Sequence, residues 1–136
     1  MENPFIHKAS LAASATTRTS SIPLTNCRTV SITGRCTYGG GAGTATRVSV
    51  YYSPDGSKWD TVSYTYFDIT LSAGNTVQRT VIIDMPEHGY IKLGVANLDA
   101  GAAVTELDVW YSIQSWPNGH VMYRGAEVKP DITQLR

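Results

Sequence analysis

VSVYYSPDGSKWDTVSY, residues 48–64, is the stretch that decides the fold class. Val48, Val50 and Tyr52 alternate with Ser49 and Tyr51, the two-residue period of a strand with one apolar and one wettable face. Ser53-Pro54-Asp55-Gly56 then supplies a turn. Proline presets φ at the second position, and glycine tolerates the positive φ that closes it. Trp59 follows the turn, and a run rich in Thr, Val and Tyr predicts a second strand over 58–66.

The same pattern extends outward in both directions. Upstream, residues 28–38 read as a strand with Val30, Ile32, Gly34 and Cys36 on one side and Thr29, Ser31, Thr33 and Arg35 on the other. A shorter strand is expected from about Thr16, ending before Pro23. Gly39-Gly40-Gly41-Ala42-Gly43 is a flexible loop without the G-x-G-x-x-G spacing or the Lys-Ser/Thr pair of a phosphate cradle. Downstream, Val62, Tyr64 and Tyr66 share one side while Phe67, Ile69 and Leu71 share the other. That change of phase predicts a bulge or break near Tyr66-Phe67. Strand 77–85 buries Val81, Ile83 and Met85 and carries Arg79 on the same face, near an edge. Strand 90–97 buries Ile91, Leu93 and Val95, and strand 104–114 buries Leu107, Val109, Tyr111 and Ile113. Turn signals at Ser72–Asn75, Pro86–Gly89 and Asp99–Gly101 separate them. About seven or eight strands at roughly ten-residue spacing, with no amphipathic helix, specify an all-β antiparallel β-sandwich of jelly-roll type.

Composition narrows the function classes. A chain of 136 residues holds one domain with a real core. Eleven basic and eleven acidic side chains cancel, so no overall field draws the protein to nucleic acid or to an anionic membrane. No stretch approaches the ~20 apolar residues of a membrane span. The N-terminus lacks the basic-then-apolar layout of a signal peptide, which predicts assembly in the cytoplasm and not export by that route. Cys27 and Cys36 flank one strand, and nine extended residues separate them by about 30 Å. A disulfide needs α-carbons within ~4.4–6.8 Å, so free buried thiols are expected, with a bridge to a neighbouring subunit as the alternative.

The ends read differently from the middle. Residues 1–14 have no sustained period and are expected to form an N-terminal arm, with the sandwich domain over 15–115. Residues 116–136 form the expected C-terminal arm, since Pro117, Asn118 and Gly119 break the last strand. Both arms carry side chains that solvated tails tend to lack: Phe5, Ile6 and Leu11 in one, Trp116, Val121, Met122 and Tyr123 in the other. These residues are the candidate partner-binding set. They either wrap the home sandwich or cross to an adjacent subunit.

Few other residues suggest chemistry. Trp110 shares its strand face with Glu106, Asp108 and Ser112, so its indole is either covered by a loop or arm, or available to a partner or a sugar ring. Tyr51 poses the same question more weakly. Trp59 reads as packing near the turn. His7, His88 and His120 lack a second His, Cys or carboxylate at metal-ligand spacing, so no metal centre is expected. No nucleophile elbow is present. Asp55, Asp60, Asp68, Asp84, Glu106 and Asp108 are the carboxylates a glycosidase pair would have to draw on, and most lie in turns or on exposed strand faces. A calcium at clustered turn carboxylates is the weaker alternative. No catalytic residue and no cofactor is therefore assigned, and basic residues are too scattered for a nucleic-acid surface.

Two resemblances attach to these residues. Val-Tyr-Tyr-Ser-Pro-Asp-Gly-Ser-Lys-Trp (50–59) is similar to the S-x-D-G-x-x-W hairpin of discoidin-like galactose-binding sandwiches. Over residues 24–115 the whole plan resembles small structural proteins of tailed bacteriophages: head-decoration, head-fibre or tail-associated sandwiches. The carriers are the Thr/Gly-rich strands, that hairpin, the late I-K-L-G-V-A-N strand (91–97) and the terminal arms. The second resemblance implies a virion component that is not an enzyme. It would bind copies of itself and a capsid or tail structural protein, with no nucleic-acid or membrane partner. A carbohydrate-binding module, stacking a glycan on Trp110 or Tyr51, is the alternative.

Overall fold

The chain's longest apolar alternations become its central strands. A computed structural model describes residues 4–117. Among them nine strands form: β1 (Ile6–Lys8), β2 (Thr16–Arg18), β3 (Ile22–Leu24), β4 (Cys27–Tyr38), β5 (Thr46–Ser53), β6 (Thr65–Ile69), β7 (Thr76–Asp84), β8 (Gly89–Asn97) and β9 (Val104–Ser115). One sheet has the order β1-β9-β4-β7; the other has β2-β8-β5-β6, with β3 also lying along β8. The antiparallel pairs nest as β1 with β9, β2 and β3 with β8, β4 with β7, and β5 with β6. That nesting, with the chain crossing between the sheets at every step except β2–β3 and β5–β6, is a jelly roll.

The core lies between the two inner faces. Val48 stands opposite both Val95 and Phe67, and Val50 opposite Leu93. Facing them are Val30, Ile32 and Cys36 of β4 and Leu107 and Val109 of β9, all buried. Each fully buried Val, Leu or Ile stabilises the fold by about 1.5–3 kcal/mol relative to exposure. At Gly34 the two sheets pack tightly: an added Cβ would lie 2.8 Å from Cδ1 of Ile69. Tyr38 closes one end of the core. Its hydroxyl donates to the carbonyl of Ile69 and accepts from the amide of Thr46. Burial pushes this phenol up to about 12.

Three expectations change in detail. The strand expected over 58–66 starts at Thr65. Ser53 and Asp55 extend the turn, with the Asp55 carboxylate accepting the amides of Ser57 at 2.8 Å and Lys58 at 2.9 Å. No bulge falls at Tyr66-Phe67. The β5–β6 register runs unbroken, with Tyr66 outward and Phe67 and Ile69 inward. Pro23 lies inside β3 instead of ending the strand before it: Ile22 and Leu24 point into the core, while the proline faces solvent on a strand that needs no donor there.

The larger correction concerns the N-terminal arm. Residues 6–8 are β1, paired with Val109, Asp108 and Leu107. Leu11 exchanges backbone hydrogen bonds with Val104 at 2.8 and 2.9 Å. Ile6 and Leu11 are buried in the home core, and Phe5 packs edge-on against Tyr111 with ring centroids 4.7 Å apart. The sandwich therefore begins before residue 15. The segment lacked a visible period because a three-residue strand is too short to show one.

Candidate functional site

The described residues offer four surfaces. On the outer face of β1-β9-β4-β7, Trp110 stands opposite Thr33, which stands opposite Thr80. The hydroxyls of Thr33 and Thr80 meet at 2.7 Å, as do those of Thr37 and Thr76. Trp110 is half-buried in this flat hydroxyl ladder, with its companions Glu106 and Asp108 drawn to Arg35 at 3.6 and 3.9 Å.

The outer face of β2-β8-β5-β6 is aromatic and cationic. Tyr51 and the stem of Arg18 both lie over Gly94: an added Cβ there would meet Tyr51 Cε2 at 3.5 Å and Arg18 Cγ at 3.8 Å. The Arg47 guanidinium sits 4.1 Å from the centre of the Tyr66 ring and donates to both Asp68 oxygens. That pairing raises its pKa above the ordinary arginine value. Lys92 Nζ lies 4.4 Å from the centre of the Trp59 ring, so Trp59 packs at the surface beside the turn.

At one open side of the sandwich the edge strands β1 and β2 bound a cleft of about 320 Å³. Phe5, His7, Lys8, Thr17, Arg18 and Ser20 are among its walls, and Ile6 forms part of its lining. His7 Nδ1 and Asp108 Oδ1 are 2.5 Å apart. At the opposite side, β6 and β7 are the outer strands of their sheets. There Val62 is 74 % exposed and Tyr64 and Tyr66 are half-exposed on the β6 side, while Ile82, 72 % exposed, projects from the outer face of β7 on the same face as Thr80. Tyr64 Oη donates to the carbonyl of Asp84, which ties the segment before β6 to the end of β7.

Of the candidate partner-binding residues, Ile6 and Leu11 are committed to the home core and Phe5 is 39 % exposed. Trp116 is anchored at home too. Its amide donates to the Asn26 carbonyl at 2.9 Å, and the Arg28 guanidinium lies 5.0 Å from its ring centre. Val121, Met122 and Tyr123 lie outside the described residues, as does His120. Cys27 and Cys36 are free and buried, and burial raises both thiols above their usual range. No cluster of three or more His, Cys, Asp or Glu suited to a metal ion occurs among the described residues, nor any helix long and apolar enough to cross a membrane.

One organising carboxylate went unnoticed in the sequence. Asp99 accepts the amides of Gly43, Thr44, Gly101 and Ala102 at 2.6–2.9 Å, joining the glycine loop to the β8–β9 connection. Those bonds lower its carboxyl to about 2. The only local sign is the Asp-x-Gly turn pattern, which reads as punctuation.

These surfaces belong to a β-sandwich of jelly-roll topology. Comparison with protein-family models and with curated proteins returned no match. Among solved structures, the chain is similar to part of a family GH115 4-O-methyl-α-glucuronidase with specificity for decorated arabinogalactans. The TM-score is 0.45 and the identity 12 %, over 74 % of this chain and 14 % of that enzyme. A likeness of that size bears on neither fold nor function.

Proposed function

We propose that the protein is a non-enzymatic structural component of a virus particle of the tailed-bacteriophage kind. It would be assembled in the host cytoplasm and bind copies of itself and a capsid or tail subunit. The observation that carries this reading is the β6–β7 flank. Ile82, on the outer face of the nine-residue strand β7, and Val62, in the segment before β6, are each about three-quarters exposed, and the outer side of β7 pairs with nothing among the described residues. Exposed apolar residues rimmed by polar ones suit a protein interface. A long open edge offers a row of backbone donors and acceptors to an incoming strand. With the N-terminal segment folded at home, the sandwich flank takes over as connector. Apolar area covered there contributes ~25 cal/mol per Å² before ordering costs, and repetition across a symmetric particle adds avidity.

The test is native mass spectrometry together with electron microscopy of the chain mixed with capsid shells and tails from its own source. The wild type is expected to associate with itself or to decorate the particles. A variant carrying Val62→Lys and Ile82→Lys is expected to lose that association while keeping its thermal melt. A wild-type chain that remains single and binds neither shells nor tails overturns the reading.

A further inference from the structure

We infer that the cleft between β1 and β2 is a binding site for a saccharide that carries a carboxylate. Its lining brings Lys8 from the edge of one sheet and Arg18 from the edge of the other to one opening. Neither cation has an acidic partner among the described residues, whereas the carboxylate that meets the lining residue His7 is doubly engaged. Asp108 is 8 % exposed, meets His7 at 2.5 Å and lies 3.9 Å from Arg35. No Asp or Glu lines the cleft among the described residues. Among the described residues, an anion entering it thus meets two unpaired cations and a single nearby carboxylate, that of Asp108, already held by His7, and charge-assisted hydrogen bonds are the stronger kind.

The uncharged lining selects a sugar over a bare anion. Phe5 is 39 % exposed and braced by Tyr111 at 4.7 Å, which fixes one aromatic wall. Ile6 adds an apolar surface, and Thr17, Thr19 and Ser20 are the hydroxyl-bearing residues of the lining. A pyranose has that dual character: apolar C–H surfaces, and an edge of hydroxyls that donate and accept. A volume near 320 Å³ falls at the small end of ligand pockets, enough for about one ring. The Arg18 side chain lies along the sheet over Gly94 beside Tyr51, with Cγ 3.8 Å and Nε 3.9 Å from where a Cβ would stand there. Guanidinium forks suit carboxylates in two-bond geometry, so Arg18 takes the carboxylate and Lys8 neutralises the remaining charge.

Neither the virion reading nor the β6–β7 flank is needed for this inference, and its test uses the isolated full-length chain. Titration calorimetry with an oligogalacturonate hexamer is compared with a neutral cellulose hexamer and with inorganic phosphate. The acidic oligosaccharide is expected to bind at least about tenfold more tightly than either control, the difference that one charge-assisted hydrogen bond supplies. Lys8→Gln and Arg18→Gln should each weaken it by about tenfold, and Phe5→Leu should weaken it without altering the salt dependence. The amide variants retain long polar side chains at exposed positions, so unchanged thermal melts separate lost binding from lost fold. Equal binding of the neutral hexamer, equal binding of phosphate, or no binding at all overturns the inference. In the last case Lys8 serves only as an inward-pointing charge that protects a sheet edge.

Discussion

At the scale of single residues, the sharpest consequence concerns Asp99. Its carboxylate stays ionised down to about pH 2 because four amides point at it. An aspartate in the unfolded chain titrates near ~3.9. Between those values the unfolded chain binds the extra proton, so stability rises with pH there. The contribution is complete above about pH 4 and is lost as pH falls through about 2. Asp99→Asn puts an NH2 group against two of the four donors. Thermal melts from pH 6 to pH 2 should show the variant less stable by several degrees at neutral pH, and with a flatter fall below pH 4 than the wild type. A second site tests backbone strain. Gly89 has φ of 115° and presses against the Tyr52 ring. Gly89→Ala is expected to cost about 3 kcal/mol in urea unfolding, the sum of a strained φ and an overpacked contact. Tyr52→Phe in the same chain should recover only part of that cost, since it removes the hydroxyl but leaves the ring carbons and φ unchanged and gives up the bond to the His88 carbonyl.

At the scale of elements, β4 shows what sequence patterning can and cannot report. Its alternation of Val30, Ile32, Gly34 and Cys36 was fully legible, because burial alternates without a break from Thr29 to Tyr38, whereas Cys27, buried out of phase beyond a bulge at Cys27–Thr29, was not. The same holds for Ile91, Leu93 and Val95 in β8. The segment 58–64 misled for a physical reason. Tyr64 and Val62 have the side chains of a strand, but Asp55 and Ser53 use local backbone amides that a ladder would need. The edge cleft was illegible, since Lys8 and Arg18 lie on strands of three residues and line one cleft only because β1 and β2 end their sheets on the same side. Gly34 itself read as one more inward position, without a sign that Ile69 packs on its backbone. Gly34→Ala should cost about 1 kcal/mol, as Cδ1 of Ile69 can turn away, and Gly34→Val about 3 kcal/mol. Combining Gly34→Ala with Ile69→Val should cost less than the sum of the single changes by about 0.5 kcal/mol or more. Additive costs in urea titrations would mean the two positions do not press on each other.

For the whole molecule, the decisive question is where the N-terminal segment belongs. A connecting arm can be removed without harm to the body it leaves, whereas a strand of the body cannot. Ile6 and Leu11 are 7 % and 5 % exposed, so losing both forfeits about 3–6 kcal/mol of apolar burial. Deleting residues 1–14 also removes the β1 ladder from β9 and two of the three carbonyls that accept from Asn97 Nδ2, those of Leu11 and Ala12, leaving only Ala102. Asn97 is buried, and a buried amide short of partners costs about 1–3 kcal/mol more. Against a total stability of about 5–15 kcal/mol for a domain, the truncated chain should be largely unfolded at 37 °C, as read by circular dichroism and by the urea midpoint. Ile6→Ala and Leu11→Ala keep the measurement possible if the truncation cannot be purified. Each should cost about 2–5 kcal/mol, far above the near-zero cost expected for residues on a detached arm. Unchanged urea midpoints in both would move β1 off the sandwich and return the segment to the role of a connector.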